Sequence, residues 1–177
     1  MQGSSARPRG RVLLLGGDRS AVVAARDLGR HGWDVAVAHH PAETAYATRS
    51  RATRTAHELP DPQTDLAGYG RVLGAVVARE AIDVVLPTAD DHLAALALVR
   101  DQVDASVPLA PTPRVLHLLD KLDVEGDLVA AGFGVPTSLA ATDDVMTSWV
   151  GPAIVKDRSH WRLDRGRGGR SPTVRVE

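Results

Sequence analysis

Arg11-Val-Leu-Leu-Leu-Gly-Gly17 is a run of apolar residues closed by two glycines. That is the form of a buried parallel strand that empties into a tight turn. Directly after it, Ala21, Val22, Ala25 and Leu28 recur at helical spacing over 19–31, and Gly29 and Gly32 offer a stop. Trp33-Asp-Val-Ala-Val-Ala38 then reads as a second strand. Strand, helix and strand in so short a span are one βαβ crossover unit, which calls for a parallel sheet.

Outward from this unit the same alternation continues. Residues 39–64 lack periodicity and predict an irregular connection with a short strand near 55–59. Leu66, Val72, Leu73, Val76 and Val77 mark one side of a helix over 65–79. Ile82-Asp-Val-Val-Leu86 is the next strand, Pro87-Thr-Ala-Asp-Asp91 a turn, and 91–101 a helix for which Asp90 or Asp91 is placed to act as N-cap. A brief strand near 107–109 completes the set. The fold class is α/β: an open, parallel, Rossmann-like sheet with helices on both faces. After Pro111-Thr-Pro113 the rhythm changes to short helices at 115–119 and 122–131. A third helix runs to Trp149 with Asp143 or Asp144 as cap, and Gly151-Pro-Ala-Ile-Val-Lys156 reads as a strand. The expected organisation is a flexible tail at 1–10, a Rossmann-like domain at 11–113, and an incomplete α+β segment at 114–177.

Composition narrows the function. The chain has 177 residues, 21 basic against 22 acidic side chains, and no cysteine. Disulfides, zinc–thiolate sites, iron–sulfur clusters and thiol catalysis are excluded, and near-neutral charge argues against coating nucleic acid or an anionic membrane. No apolar stretch is long enough to span a bilayer, and no signal-peptide pattern opens the chain, so the expected compartment is the cytoplasm. Only two of the basic residues are lysines, Lys121 and Lys156. In a chain that otherwise uses arginine, they mark positions where a compact ammonium on a flexible stem serves and a guanidinium does not, as between phosphate oxygens. Chance survival of two surface lysines is the plain alternative.

Other motifs each carry a bland reading beside the chemical one. Leu15-Gly-Gly-Asp-Arg-Ser20 resembles a dinucleotide turn, but Val22 holds the place of the third glycine, and His39-His40 replace the acidic residue expected after the second strand. Neighbouring residues on an extended chain point in opposite directions, so His39 and His40 read as a solvated loop rather than as metal ligands. Asp90 and Asp91 could be an acid–base pair or could simply cap a helix. Arg165-Gly-Arg-Gly-Gly-Arg170, without interleaved aromatics, reads as a loop rather than an RNA-binding segment.

Taken in order, these segments resemble the N-terminal portion of ATP-grasp ligases. Val12-Leu-Leu-Leu-Gly-Gly17 is similar to the opening strand and turn of the domain that precedes the grasp fold. Ile82-Asp-Val-Val-Leu-Pro-Thr-Ala-Asp-Asp91 is similar to its later strand and loop. Asp120-Lys121, followed by Ala131-Gly-Phe-Gly-Val-Pro136-Thr137, resembles the start of the grasp domain, and Pro152-Ala-Ile-Val-Lys156 its phosphate-contacting strand. The resemblance implies ATP as co-substrate, with Lys121 and Lys156 on its phosphates. It implies Mg²⁺ with ligands outside this stretch, and a small carboxylate as the other substrate. The substrate side would include Gly16, Gly17, Thr88, Asp90 and Asp91. It implies a carboxylate–amine or related ligation through an acyl phosphate, and 177 residues that are inactive alone, with a homodimer or a C-terminal half as partner. Departures exist: Asp157 follows Lys156, and Ser159-His-Trp161 precede the glycines where the family continues with a phosphate loop. The competing reading is a non-catalytic α/β domain that binds a small ligand or a partner.

Overall fold

The computed structural model describes residues 8–159 and 174–176. Most of the tail at 1–10, and the 165–170 arginine–glycine stretch, lie outside the described residues. Four strands, β1 (Arg11–Leu15), β2 (Asp34–His39), β3 (Thr53–Glu58) and β4 (Val84–Pro87), form one parallel sheet in the order β3-β2-β1-β4. Side chains alternate between its two faces. Val12, Leu14, Val35 and Val37 face α1 (Arg19–Arg30), where they meet Ala21 and Ala25. Leu13, Leu15, Ala36, Ala38 and Val85 face α2 (Leu66–Glu80) and α3 (Asp90–Val99), where they meet Tyr69, Leu73, Val77, Ala95 and Leu96. The sheet is thus buried on both sides, which is why its central strands read as unbroken apolar runs.

Local chemistry sets the helix ends. Asp18 accepts from the N–H groups of Ser20 and Ala21 at the start of α1, and Asp65 from Gly68 at the start of α2. Two expected caps are corrected. The N-cap of α3 is Ala89, and neither Asp90 nor Asp91 precedes the helix; both lie in its first turn, where a carboxylate still favours the positive end of the helix dipole. Further on, Thr142 rather than an aspartate caps the six-residue helix α6 (Asp143–Ser148). The strand expected at 107–109 is also absent, because pairing there reduces to one parallel bridge between Val84 and Ser106.

Beyond the sheet, α4 (Thr112–Leu118) packs on α3 and leads to α5 (Lys121–Ala130). A short antiparallel pair, β5 (Ala153–Val155) with β6 (Val174–Val176), follows α6. No helix among the described residues is long and apolar enough to cross a membrane.

Candidate functional site

The carboxyl ends of the parallel strands gather the first group of residues. In the chain's path β1 continues to β2 on one side, while β4 returns on the other side of β1. The crevice outside their carboxyl ends is therefore the topological switch point, where open α/β sheets bind ligands. Gly16 turns the chain away from β1 with φ +113°, and a Cβ there would lie 2.5 Å from Thr88 Oγ1. The Thr88 hydroxyl donates to the Leu15 carbonyl at 2.9 Å, so the two turns are locked together. A Cβ on Gly17 would meet the Ala45 backbone at 2.9 Å. Gly16, Gly17 and Thr88 therefore form a closely packed rim, with Asp91 beside it on α3 and Asp90 on the exposed side.

Onto this rim the structure brings residues that the sequence did not connect. His40 is buried, not solvated, and it faces Glu43, Asp91 and His92. Its Nε2 lies 3.6 Å from both Glu43 Oε1 and Asp91 Oδ2. His92 is fully buried, with Nε2 at 2.8 Å from Glu43 Oε1 and Nδ1 at 2.9 Å from the buried Tyr69 hydroxyl. One donor atom from each of the four residues lies within 4.8 Å of all the others. Burial works against ionisation of Asp91. The neighbouring His40 ring, the charge of His92 and the His92 backbone N–H outweigh it and hold that carboxyl at about 2. Burial works against protonation of His40 too, but Asp91, Glu43 and Asp61 outweigh it and raise its pKa. Burial, followed by the charges of Asp91 and Glu43, pushes the Tyr69 phenol well above its ordinary value, so it stays neutral. An open cleft of about 520 Å³ adjoins His40, lined by Pro41, Leu59, Pro60, Asp61 and Val72 among others.

The second group lies around α5. Asp120 caps this helix, accepting from Leu122 and Asp123 N–H, and it takes the Arg158 Nε at 2.7 Å while Asp123 takes the other arm at 2.8 Å. Lys121 Nζ donates to the carbonyls of Asp157 at 2.8 Å and Arg158 at 3.3 Å. The residue that follows Lys156 is thus tied to Lys121, and the chain's two lysines belong to one locality. Lys156 is exposed, and the Lys121 ammonium keeps one N–H beyond the two it uses. Arg158 in this clamp escaped the sequence reading; its only signal was an arginine two residues past Lys156. Asp120 and Asp123 are engaged by Arg158 and do not fit a Mg²⁺ site, which takes several free oxygen ligands.

No family model and no curated protein matches the sequence. Solved structures do. An L-amino acid ligase from Bacillus licheniformis superposes with a TM-score of 0.70 at 16% identity, covering 97% of this chain and 40% of that one. The N5-carboxyaminoimidazole synthetase from Staphylococcus aureus, complexed with ADP, gives a TM-score of 0.60 at 18% identity, covering 89% of this chain and 40% of that one. The biotin carboxylase domain of a single-chain bacterial carboxylase gives 0.58 at 18%, covering 87% of this chain and 37% of that one. The chain spans about two-fifths of the length of these proteins. Its fold is that of the matching part of these ligase, synthetase and carboxylase structures.

Proposed function

We propose that these 177 residues are the N-terminal part of an ATP-dependent carboxylate–amine or related ligase. On this reading 11–113 shapes the substrate side, with Gly16, Gly17, Thr88, Asp90 and Asp91 at the sheet edge, and 114–177 begins the nucleotide-binding domain. Lys121 and Lys156 hold the ATP phosphates. In the whole reaction a substrate carboxylate oxygen attacks the γ-phosphorus, ADP leaves, and an amine then displaces phosphate from the acyl phosphate. Such transfers depend on charge neutralisation and positioning rather than on covalent help from the protein. Mg²⁺ would arrive with the nucleotide and neutralise charge on its phosphates. The cytoplasm, which supplies ATP, is the compartment that suits this role.

The observation that carries the reading is the tie between Lys121 and the Asp157 carbonyl, which draws together the two lysines of an arginine-rich chain on a fold shared with an L-amino acid ligase and an ADP-bound synthetase. Calorimetric titration with MgATP tests it. Binding is expected, weakened at least tenfold by Lys121→Ala and by Lys156→Ala, and without release of phosphate when amino acids are added. No heat up to several millimolar nucleotide, or binding indifferent to both substitutions, overturns the reading in favour of a non-catalytic ligand-binding domain. Phosphate release by the 177 residues alone overturns the claim that they are inactive by themselves.

A further inference from the structure

The cluster at the sheet edge has a geometry that hydrogen bonding alone does not explain. His40 is more than nine-tenths buried, and the ring nitrogen it turns towards the cluster is Nε2. Its Nε2 contacts, at 3.6 Å, are too long for hydrogen bonds. A tetrahedral zinc-class ion with bonds of ~2.0–2.2 Å holds its ligand atoms about 3.3–3.6 Å apart. The His40–Glu43 and His40–Asp91 separations match an edge of that tetrahedron, while His92 Nε2 and Glu43 Oε1, hydrogen-bonded at 2.8 Å, would move apart to receive the ion.

The remaining atoms of the cluster are arranged to aim the inner ones at a common centre. Glu43 Oε2 accepts from the His40 backbone N–H at 3.2 Å, leaving Oε1 facing inward. Asp91 Oδ1 accepts from the His92 backbone N–H at 2.9 Å, leaving Oδ2 facing inward. His92 Nδ1 meets the Tyr69 hydroxyl, so with Nε2 on a metal the ring proton sits on Nδ1 and donates to Tyr69 Oη. Outer contacts of this kind orient the ligands of protein metal sites and fix the histidine tautomer. The Glu43 N–H donates to the His40 carbonyl at 3.0 Å, closing the turn that presents both residues together. Two neutral imidazoles and two carboxylates balance a dication. The imidazole nitrogens select a borderline transition metal over Mg²⁺ or Ca²⁺.

We propose that His40, Glu43, Asp91 and His92 bind one divalent transition-metal ion of the zinc class at the carboxyl edge of the sheet. The ion joins the loop after β2 to the first turn of α3, across the Gly16–Gly17 rim. With four protein ligands the site is of the closed, structural kind. It shares Asp91 with the substrate side of the ligase reading but none of the residues assigned there to nucleotide, so nucleotide binding and metal binding are tested separately.

The test uses untagged protein, stripped with chelator and dialysed, then titrated with Zn²⁺ by calorimetry and with Co²⁺ by visible absorption. One equivalent of Zn²⁺ is expected, with the intense cobalt bands of a four-coordinate site and a raised melting temperature. Glu43→Gln and Asp91→Asn are expected to weaken binding by roughly ten- to a hundredfold. His117→Gln, altering the exposed pairing of His117 with Asp123 and Asp127, leaves binding unchanged. Well under one equivalent at micromolar protein and metal, or the pale spectrum of six-coordinate cobalt, overturns the proposal. So does binding that survives both carboxylate substitutions. The stoichiometry and spectrum of the unmodified protein decide the matter even where a variant folds poorly. Nucleotide is absent throughout, so failure here leaves the ligase reading standing, and failure there leaves this one.

Discussion

Gly16 is the residue at which backbone conformation and packing make the same demand. Its φ of +113° lies where L side chains are strained, and a Cβ would press against Thr88 Oγ1 at 2.5 Å, a hydroxyl already held by the Leu15 carbonyl. Neither partner gives way cheaply, so Gly16→Ala is expected to destabilise by about 1–3 kcal/mol. Urea unfolding checks this: a shift below about 0.5 kcal/mol would mean that the turn relaxes. Such a glycine is legible in sequence because it follows an apolar strand directly, and one residue reports its own backbone need. His40 is a different case. Its burial depends on Asp91 and His92, about fifty positions away, and on a loop drawn back when Ala47 N–H donates to the Gly17 carbonyl at 2.9 Å. Nothing within a few residues of His40 encodes the meeting with Asp91 and His92; Glu43, three residues on, was the one local sign of the cluster, and adjacency to His39 pointed instead to solvent.

At the scale of elements, α5 shows how a short helix with no buried residue is held. Its stability comes from its first turn, where Asp120 caps it and, with Asp123, grips Arg158. Loss of a carboxylate cap costs about 1 kcal/mol, so Asp120→Ala is expected to speed amide exchange through α5 about fivefold. Unchanged exchange would show that the Lys121 bonds suffice. The same carboxyl titrates with a defined sign. Burial, the largest single influence, raises its pKa, but the Arg158 guanidinium and the capping N–H groups together more than reverse this, leaving the value lowered. The stabilisation is therefore full above the ordinary carboxylate value of about 3.9 and fades as pH falls through the lower folded value. Carbon-detected NMR titration is expected to place the Asp120 midpoint below about 3.9, and Arg158→Ala to return it towards that value. Both ends of this clamp are solvated, so the effect on overall stability is small. Elements differ in legibility for a related reason. β1, β2 and β4 are covered on both faces and announce themselves as apolar runs, whereas β3, Thr-Arg-Thr-Ala-His-Glu, is an edge strand with alternate residues exposed and almost no apolar signal. The 107–109 segment has the composition of a strand but meets the sheet through Ser106 alone.

Across the whole molecule, burial is distributed unevenly. The two core clusters draw all their buried residues from 12–103, and Val115 is the one buried apolar residue among those described after them. Leu128, Val129, Phe133, Leu139, Met146, Trp149, Val150 and Ile154, by contrast, are all exposed. A segment with little buried apolar area opens locally at far lower cost than a sheet buried on both faces. Residues 133–141 carry no helix or strand whose hydrogen bonds would have to break before the backbone entered a protease cleft. Limited digestion with chymotrypsin is therefore expected to cut first at Phe133, Leu139, Met146 or Trp149 and to leave a resistant fragment containing β1 to α3. Early cuts inside 11–103 would instead mean that the sheet domain opens as readily as the segment after it. Nucleotide sharpens the measurement. Lys121 and Lys156 flank the susceptible stretch, so a phosphate bridging them would restrain both its ends. MgATP is then expected to slow cleavage at 133–149 and leave the sheet domain's resistance unchanged, and Lys121→Ala is expected to abolish that protection.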